Sequence, residues 1–221
     1  MLPFAGGIEG SENGAFIMAL VAAVLYLWRP QGMSGIKWAA IKTVPVALFA
    51  YLAWRLNAPW LLIGGLALSA LGDWCLAFQG EKAFLGGLSS FFLAHAAYIA
   101  LFTLHSGPLL LTGGPWRIAI ALALLVHASW MSGKLARSVP VALKLPVFAY
   151  VAVISLMGLA ASAYGSLTVL CGALLFALSD TLLATGKFLI TDSDPRRASI
   201  ETGVWITYIA AQVLILFGFV L

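Results

Sequence analysis

The sequence predicts an all-α fold: a polytopic membrane helix bundle of about eight transmembrane helices. Three observations predict it. The 221 residues are 62% hydrophobic and only 9% charged, whereas a soluble domain is about 25% charged. Mean hydropathy is +1.03. The apolar residues run in stretches long enough for membrane helices, at roughly 20 residues each, and lack the ten-residue alternation of an outer-membrane barrel.

Eight spans fit, over residues 12–28, 38–56, 59–78, 83–105, 115–131, 144–163, 166–187 and 199–220. Turn residues punctuate them. Arg29-Pro30-Gln31-Gly32 closes the first span, and Asn57-Ala58-Pro59 separates the second from the third. Gln79-Gly80 ends the third, and Ser106-Gly107-Pro108 ends the fourth. The fifth opens at Gly113-Gly114-Pro115; it is short and interrupted by His127. Asp194-Pro195 precedes the eighth. The chain reads as one transmembrane domain over residues 1–221, with no separate soluble domain. Its opening residues hold Glu9 and Glu12 but no Lys or Arg, the wrong charge for the start of a cleavable signal peptide.

Basic residues choose the orientation. With the N-terminus outside, the inner loops hold Arg29, Lys37, Lys82, Lys134, Arg137, Lys187, Arg196 and Arg197, and the outer loops hold Arg55 and Arg117. Lys42 and Lys144 fall just within spans. This asymmetry puts both termini outside and suits a multi-pass protein of a bacterial inner membrane. The net charge of +4 is thus a topology signal. Single basic residues in short loops form no stripe for nucleic acid. Cys75 and Cys171 read as free apolar fillers within spans.

Two spans carry an acid. In Leu61–Phe78, LLIGGLALSALGDWCLAF, the acid is Asp73; in Val169–Phe188, VLCGALLFALSDTLLATGKF, it is Asp180. Laid together, Gly65 falls on Gly172, Leu68 on Leu175, Leu71 on Leu178 and Asp73 on Asp180. Ile41-Lys42-Thr43-Val44-Pro45 likewise faces Leu143-Lys144-Leu145-Pro146, and Ala97-Tyr98-Ile99-Ala100 faces Thr207-Tyr208-Ile209-Ala210. The offset of four spans suggests two parallel four-helix repeats, 12–105 and 115–221.

A charge at the centre of a membrane helix costs roughly 2.5–3.5 kcal/mol or more, so an acid there points to function. Counted at about 1.5 Å per residue, Asp73 lies roughly 12 Å inside Glu81, and Asp180 roughly 10 Å inside Lys187. His95, Tyr98, Tyr208 and Gln212 fall nearer the midplane, the last two four apart on one face. The polar residues therefore converge on the cytoplasmic half. Structural readings exist for each. An Asp can cap or snorkel, but two at matching positions favour a shared site. Lys42 can snorkel, His95 can bond a carbonyl, and Tyr98, Tyr208 and Gln212 can join helices. His105 and His127 read as interfacial or structural. Trp54, Trp60, Trp116 and Trp130 sit at span ends as interface anchors.

Scattered histidines and no HExxH spacing argue against a metal site. There is no GxSxG elbow, Walker motif or Rossmann glycine pattern. Two carboxylates with a histidine and tyrosines suit acid–base hydrolysis, in which one Asp is held protonated and a nearby Lys holds the other ionised.

The runs Leu71-Gly72-Asp73, Phe92-Leu93-Ala94-His95-Ala96-Ala97-Tyr98-Ile99, Phe176-Ala177-Leu178-Ser179-Asp180, Lys187-Phe188 and Tyr208-Ile209-Ala210-Ala211-Gln212 together resemble the lysoplasmalogenase (YhhN-type) membrane family, over essentially the whole chain. One departure is Lys42-Thr43-Val44-Pro45 where that family often has a Lys-Pro pair. The resemblance implies about eight spans, no cofactor or metal, and a lysophospholipid substrate met among membrane lipids. The implied reaction hydrolyses the vinyl-ether bond of a lysoplasmalogen to a fatty aldehyde and glycerophospho-ethanolamine or -choline. On that footing Asp73 and Asp180 would be the acid and base, meeting an oxocarbenium-like state as glycosidase carboxylates do. His95 and Tyr208 would orient the ether oxygen or water; Lys42 or Lys144 would hold the phosphate; Tyr98 and Gln212 would line the substrate. Two other classes compete: a small-molecule or proton-coupled transporter, since parallel repeats with midplane polar residues also suit transport, and a hydrolase of another lipid bond.

Overall fold

The computed structural model describes residues 2–5, 7, 10–28, 35–106 and 114–221. Among them are eight α-helices and no strand: α1 Ser11–Leu27, α2 Ile36–Arg55, α3 Trp60–Leu76, α4 Glu81–Leu104, α5 Pro115–Ser138, α6 Val141–Tyr164, α7 Leu167–Phe188 and α8 Arg197–Val220. Six of these, α2 and α4 to α8, are long and apolar enough to cross a membrane. The apolar helices α1 and α3 have 17 residues each. The chain is a polytopic helical membrane protein. In lipid, backbone polar groups need internal partners, and a helix supplies them along its length except at its ends.

The helix boundaries follow local chemistry. Gly165, at φ 87, closes α6 in the left-handed region that favours glycine. The next residue, Ser166, opens α7 by accepting the Val169 N–H at 3.4 Å. One dipeptide thus stops one helix and starts another. Pro59 and Pro140 precede the first residues of α3 and α6, and Pro115 begins α5, where its missing N–H costs nothing.

Three expectations shift. Helix α5 runs on to Ser138 rather than stopping near 131, so Lys134 and Arg137 lie on its final turns and not in a loop. There Lys134 Nζ sits 4.5 Å from the Trp130 ring centroid, so its charge leans on an aromatic face. His127 does not interrupt α5, because its ring finds a partner on α7, described below. Helix α3 ends at Leu76, leaving three residues after Asp73, or roughly 4.5 Å of rise. The depth counted from Glu81 crossed a turn and overstated the distance. The expected turn Arg29-Pro30-Gln31-Gly32, the residues Gly107, Pro108 and Gly113 of two others, and Glu9 lie outside the described residues.

Cα proximity divides the chain into two units. One comprises Met1–Ala97 with Leu216–Leu221, the other Tyr98–Ile215. In the first, α2 packs on both α1 and α3. Buried Asn13 gathers the segment before α1: its Oδ1 accepts the Phe4 N–H at 3.0 Å, and its amide donates to the carbonyls of Phe4 and Gly7 at 2.8 Å. The Phe16 and Phe217 rings lie beside Phe4, with centroids 6.0 and 6.2 Å away. Helix α4 approaches α3 at Gly72, where a Cβ would lie 2.5 Å from the Phe91 ring. Small residues are what allow such approaches when lipid supplies no hydrophobic drive.

In the second unit α6 packs on α5 and α7. Helix α8 meets α7 at Gly172, where a Cβ would lie 2.8 Å from Ile215 Cγ1 and 3.1 Å from the Ala211 carbonyl oxygen.

Candidate active site

In the first unit Asp73 is 2% exposed on α3, and Lys42 of α2 brings its Nζ to 3.6 Å from Asp73 Oδ1. Lys42 stands one turn before Pro45, which lies inside α2. Proline has no N–H to give back along the helix, so the α2 ladder is weakest beside this lysine. Lys42 is 14% exposed, so the pair is largely withdrawn from solvent, and each charge there needs the other. The residue before Asp73 is Gly72, so α4 comes close on that side. His95, fully buried on α4, points Nδ1 at the Phe91 carbonyl at 2.6 Å. Donation from Nδ1 makes Nε2 the acceptor nitrogen of the neutral ring.

In the second unit Asp180 is 9% exposed on α7. The Tyr150 hydroxyl of α6 donates to its Oδ2 at 3.2 Å. The residue before it, Ser179, donates from its hydroxyl to the Val204 carbonyl of α8 at 2.9 Å. The residue after it, Thr181, donates to the Ala177 carbonyl at 2.7 Å and pairs with His127 Nε2 at 3.1 Å. Since the Thr181 proton is already engaged, His127 is the donor of that second bond. The sixth helix of the chain, like the second, contains a proline: Pro146. Lys144 lies half-buried in the first turn of α6.

An aromatic cluster stands in the same unit. Phe176 of α7 has Tyr98 at 6.5 Å and Tyr208 at 5.4 Å between centroids, both edge-on. The Tyr98 hydroxyl donates to Gln212 Oε1 at 2.8 Å. Gln212 is fully buried, and its Nε2 has no hydrogen-bond partner among the described residues. An unmet donor beside two tyrosines offers a polar foothold in an apolar wall.

The structure thus brings Lys42 to Asp73 and joins Tyr98 to Gln212, with Tyr208 against the same phenylalanine. The sequence does not single out Tyr150, and His127 reads from it as interfacial or structural. A signal for Tyr150 was present: a tyrosine deep in an apolar span, four residues past Pro146. Which face of α6 it occupied was not readable. Cys75 and Cys171 are both free. Among the described residues, no three His, Cys, Asp or Glu side chains gather so as to hold a metal ion.

The sequence pattern of the YhhN family matches residues 36–219. The chain belongs to the YhhN family. That span contains every residue named above from Lys42 to Gln212. The chain is 31% identical over 206 residues to a mouse (Mus musculus) protein named lysoplasmalogenase TMEM86B, covering 89% of this chain and 82% of that one. The corresponding human (Homo sapiens) protein is 32% identical over 196 residues, covering 86% and 78%. A Mycobacterium tuberculosis protein named lysoplasmalogenase is 30% identical over 167 residues, covering 72% of this chain. The match spans 59% of that mycobacterial relative's length. No solved structure matches this YhhN-family chain.

Proposed function

We propose that this chain is a membrane-embedded hydrolase that cleaves the vinyl-ether bond of lysoplasmalogens. The products are a fatty aldehyde and glycerophospho-ethanolamine or -choline. One observation carries the reading: in a chain whose relatives are named lysoplasmalogenase, each of two apolar helices buries an aspartate with its own polar partner. Asp73 and Asp180 divide the acid and base work on one substrate. The chemistry needs such a pair. A vinyl ether is cleaved by protonation at its outer alkene carbon, after which water attacks the oxocarbenium carbon; one carboxyl supplies the proton and one carboxylate receives the proton of water.

The remaining residues take supporting roles. His95, with Nε2 as acceptor, orients water. Tyr98, Tyr208 and Gln212 line the substrate, and the Gln212 amide meets an oxygen of it. Lys42 serves Asp73, and Lys144, in the first turn of α6, suits the phosphate. The internal repeat is supported by the shared local plan, in which each Asp takes a partner from the preceding helix. The active side faces the cytoplasm of a bacterial inner membrane, on the strength of the basic-residue asymmetry.

The test is turnover by purified protein in detergent, offered a vinyl-ether lysolipid beside its saturated alkyl-ether and acyl analogues. Aldehyde release from the vinyl ether alone is expected, because only that bond can be protonated at carbon. Fatty-acid release from the acyl analogue would show an ester hydrolase instead. Absence of any turnover would favour a transporter.

A further inference from the structure

We infer that Gln212 reads the free sn-2 hydroxyl of the lysolipid, its Nε2 donating to that oxygen while the Tyr98 hydroxyl holds its Oε1. The inference deepens the vinyl-ether reading above and rests on it. Gln212 lies on α8 in the Tyr98–Ile215 unit and is fully buried. The Tyr98 hydroxyl donates to its Oε1 at 2.8 Å. That bond sets the orientation of the amide and leaves Nε2 as the end with no hydrogen-bond partner among the described residues. A buried donor without an acceptor has lost its hydration and gained nothing in exchange. Such groups are few in folded proteins, and each calls for an explanation. A ligand oxygen at Nε2 removes the cost.

The surroundings narrow which oxygen it is. Tyr208 stands one turn before Gln212 on α8. Tyr98 and Tyr208 are both edge-on to Phe176, at 6.5 and 5.4 Å between centroids, and all three rings are buried. The wall is therefore aromatic and uncharged. A lysoplasmalogen offers three kinds of acceptor oxygen: the phosphate, the vinyl ether and the sn-2 hydroxyl. A phosphate would carry charge into this wall at a cost that a neutral amide does not offset. The ether oxygen shares the positive charge that forms when the alkene is protonated, so a donor aimed at it would oppose the transition state. The hydroxyl is neutral, keeps its electron pairs throughout and sits on the carbon next to the one bearing the ether. In the intact plasmalogen the same oxygen belongs to an ester and brings a second chain with it. Gln212 is thus a point at which the lyso form is told from the diacyl form. A polar group left unpaired in a site is what makes loss of a substrate hydroxyl costly.

The experiment measures kcat/KM of the full-length protein in detergent for two vinyl-ether lysolipids, one with the sn-2 hydroxyl and one with hydrogen in its place. Each value is divided by that lipid's own rate of hydrolysis in dilute acid, which removes the hydroxyl's inductive effect on the alkene. The parent is compared with Gln212→Met. We expect the parent to favour the hydroxyl substrate by about 10–100-fold, the range for a buried donor left unpaired. Gln212→Met should lower the hydroxyl substrate toward the deoxy rate and all but erase the preference. A purely structural role would lower both substrates alike and keep the ratio. Should Gln212→Met fail to fold, the Tyr98→Phe/Gln212→Met double variant also removes the hydroxyl that loses Gln212 as acceptor, and the same ratio is read from it. A parent that cleaves both lipids equally, or a variant that keeps the parent's preference, overturns the role of Gln212 and leaves the vinyl-ether reading standing. A parent that cleaves neither overturns that reading, and this inference with it.

Discussion

Asp73 and Asp180 are placed by the same local plan and finished differently. Each lies on the later part of an apolar helix, α3 or α7. Each draws a partner from the helix before, where a proline interrupts the ladder, and each follows a small residue, Gly72 or Ser179, that meets the helix after. The partners diverge: an ammonium for Asp73 and a phenol for Asp180. The lesson is that matched positions do not make matched chemistry. An ammonium compensates a buried carboxylate's charge, whereas a phenol satisfies only its hydrogen-bonding capacity. The acid–base reading proposed above needs two carboxyl groups in different states, and unlike neighbours are one way for a chain to set them apart.

The comparison can be broken most decisively at the carboxyls. Asp73→Asn and Asp180→Asn should each lower turnover by about 10²–10⁴-fold, the range of general acid–base contributions, with the folded protein retained by size-exclusion in detergent. Near-normal activity in either would show that the shared plan is structural. Next come the partners. Lys42→Met removes the ammonium beside a buried carboxylate and should lower stability by up to about 3–5 kcal/mol, and the Lys42→Met/Asp73→Asn double variant should recover most of the loss. Tyr150→Phe should cost only about 1 kcal/mol. Equal losses in thermal unfolding would mean that the two partners do the same job.

The small residues give a finer test. Gly72→Ala and Gly172→Ala each place a Cβ under 3 Å from a neighbour and should destabilise by about 1–3 kcal/mol. Gly64→Ala, with nothing within 4 Å, should be neutral or stabilise by up to about 1 kcal/mol.

The smallest effect lies between α7 and α8. The Arg196 side chain and backbone N–H hold the Asp194 carboxyl at about 2, below its ordinary 3.8. A depressed carboxyl contributes stability fully present above its unfolded value and lost as pH falls through the folded one. The melting temperature of Arg196→Gln should therefore differ from the parent's above about pH 4 and converge with it as pH falls toward 2.

Much of this was legible in the residues. Composition and apolar run length are local properties, and they were enough for a helical membrane protein whose described residues form eight helices near the expected places. An acid inside an apolar run is conspicuous for the same reason, so Asp73 and Asp180 stood out by themselves. Helix ends were less legible. Lys134 and Arg137 read as loop because charge usually marks a span's end, yet α5 carries both to Ser138 because long side chains reach outward while the backbone stays bonded.

What the sequence determined by itself was the solvent, the helix count, the family pattern and the positions of two buried acids, since each depends on a residue and its chain neighbours. What only the tertiary structure decided was which side chains meet: Lys42 with Asp73, Tyr150 with Asp180, Thr181 with His127. A hydrogen bond between helices requires two side chains to share a face across a packed interface. That depends on helix rotation set by the closest contacts, such as Gly72 with Phe91 and Gly172 with Ile215, and the order of residues along a uniformly apolar helix carries almost no trace of it.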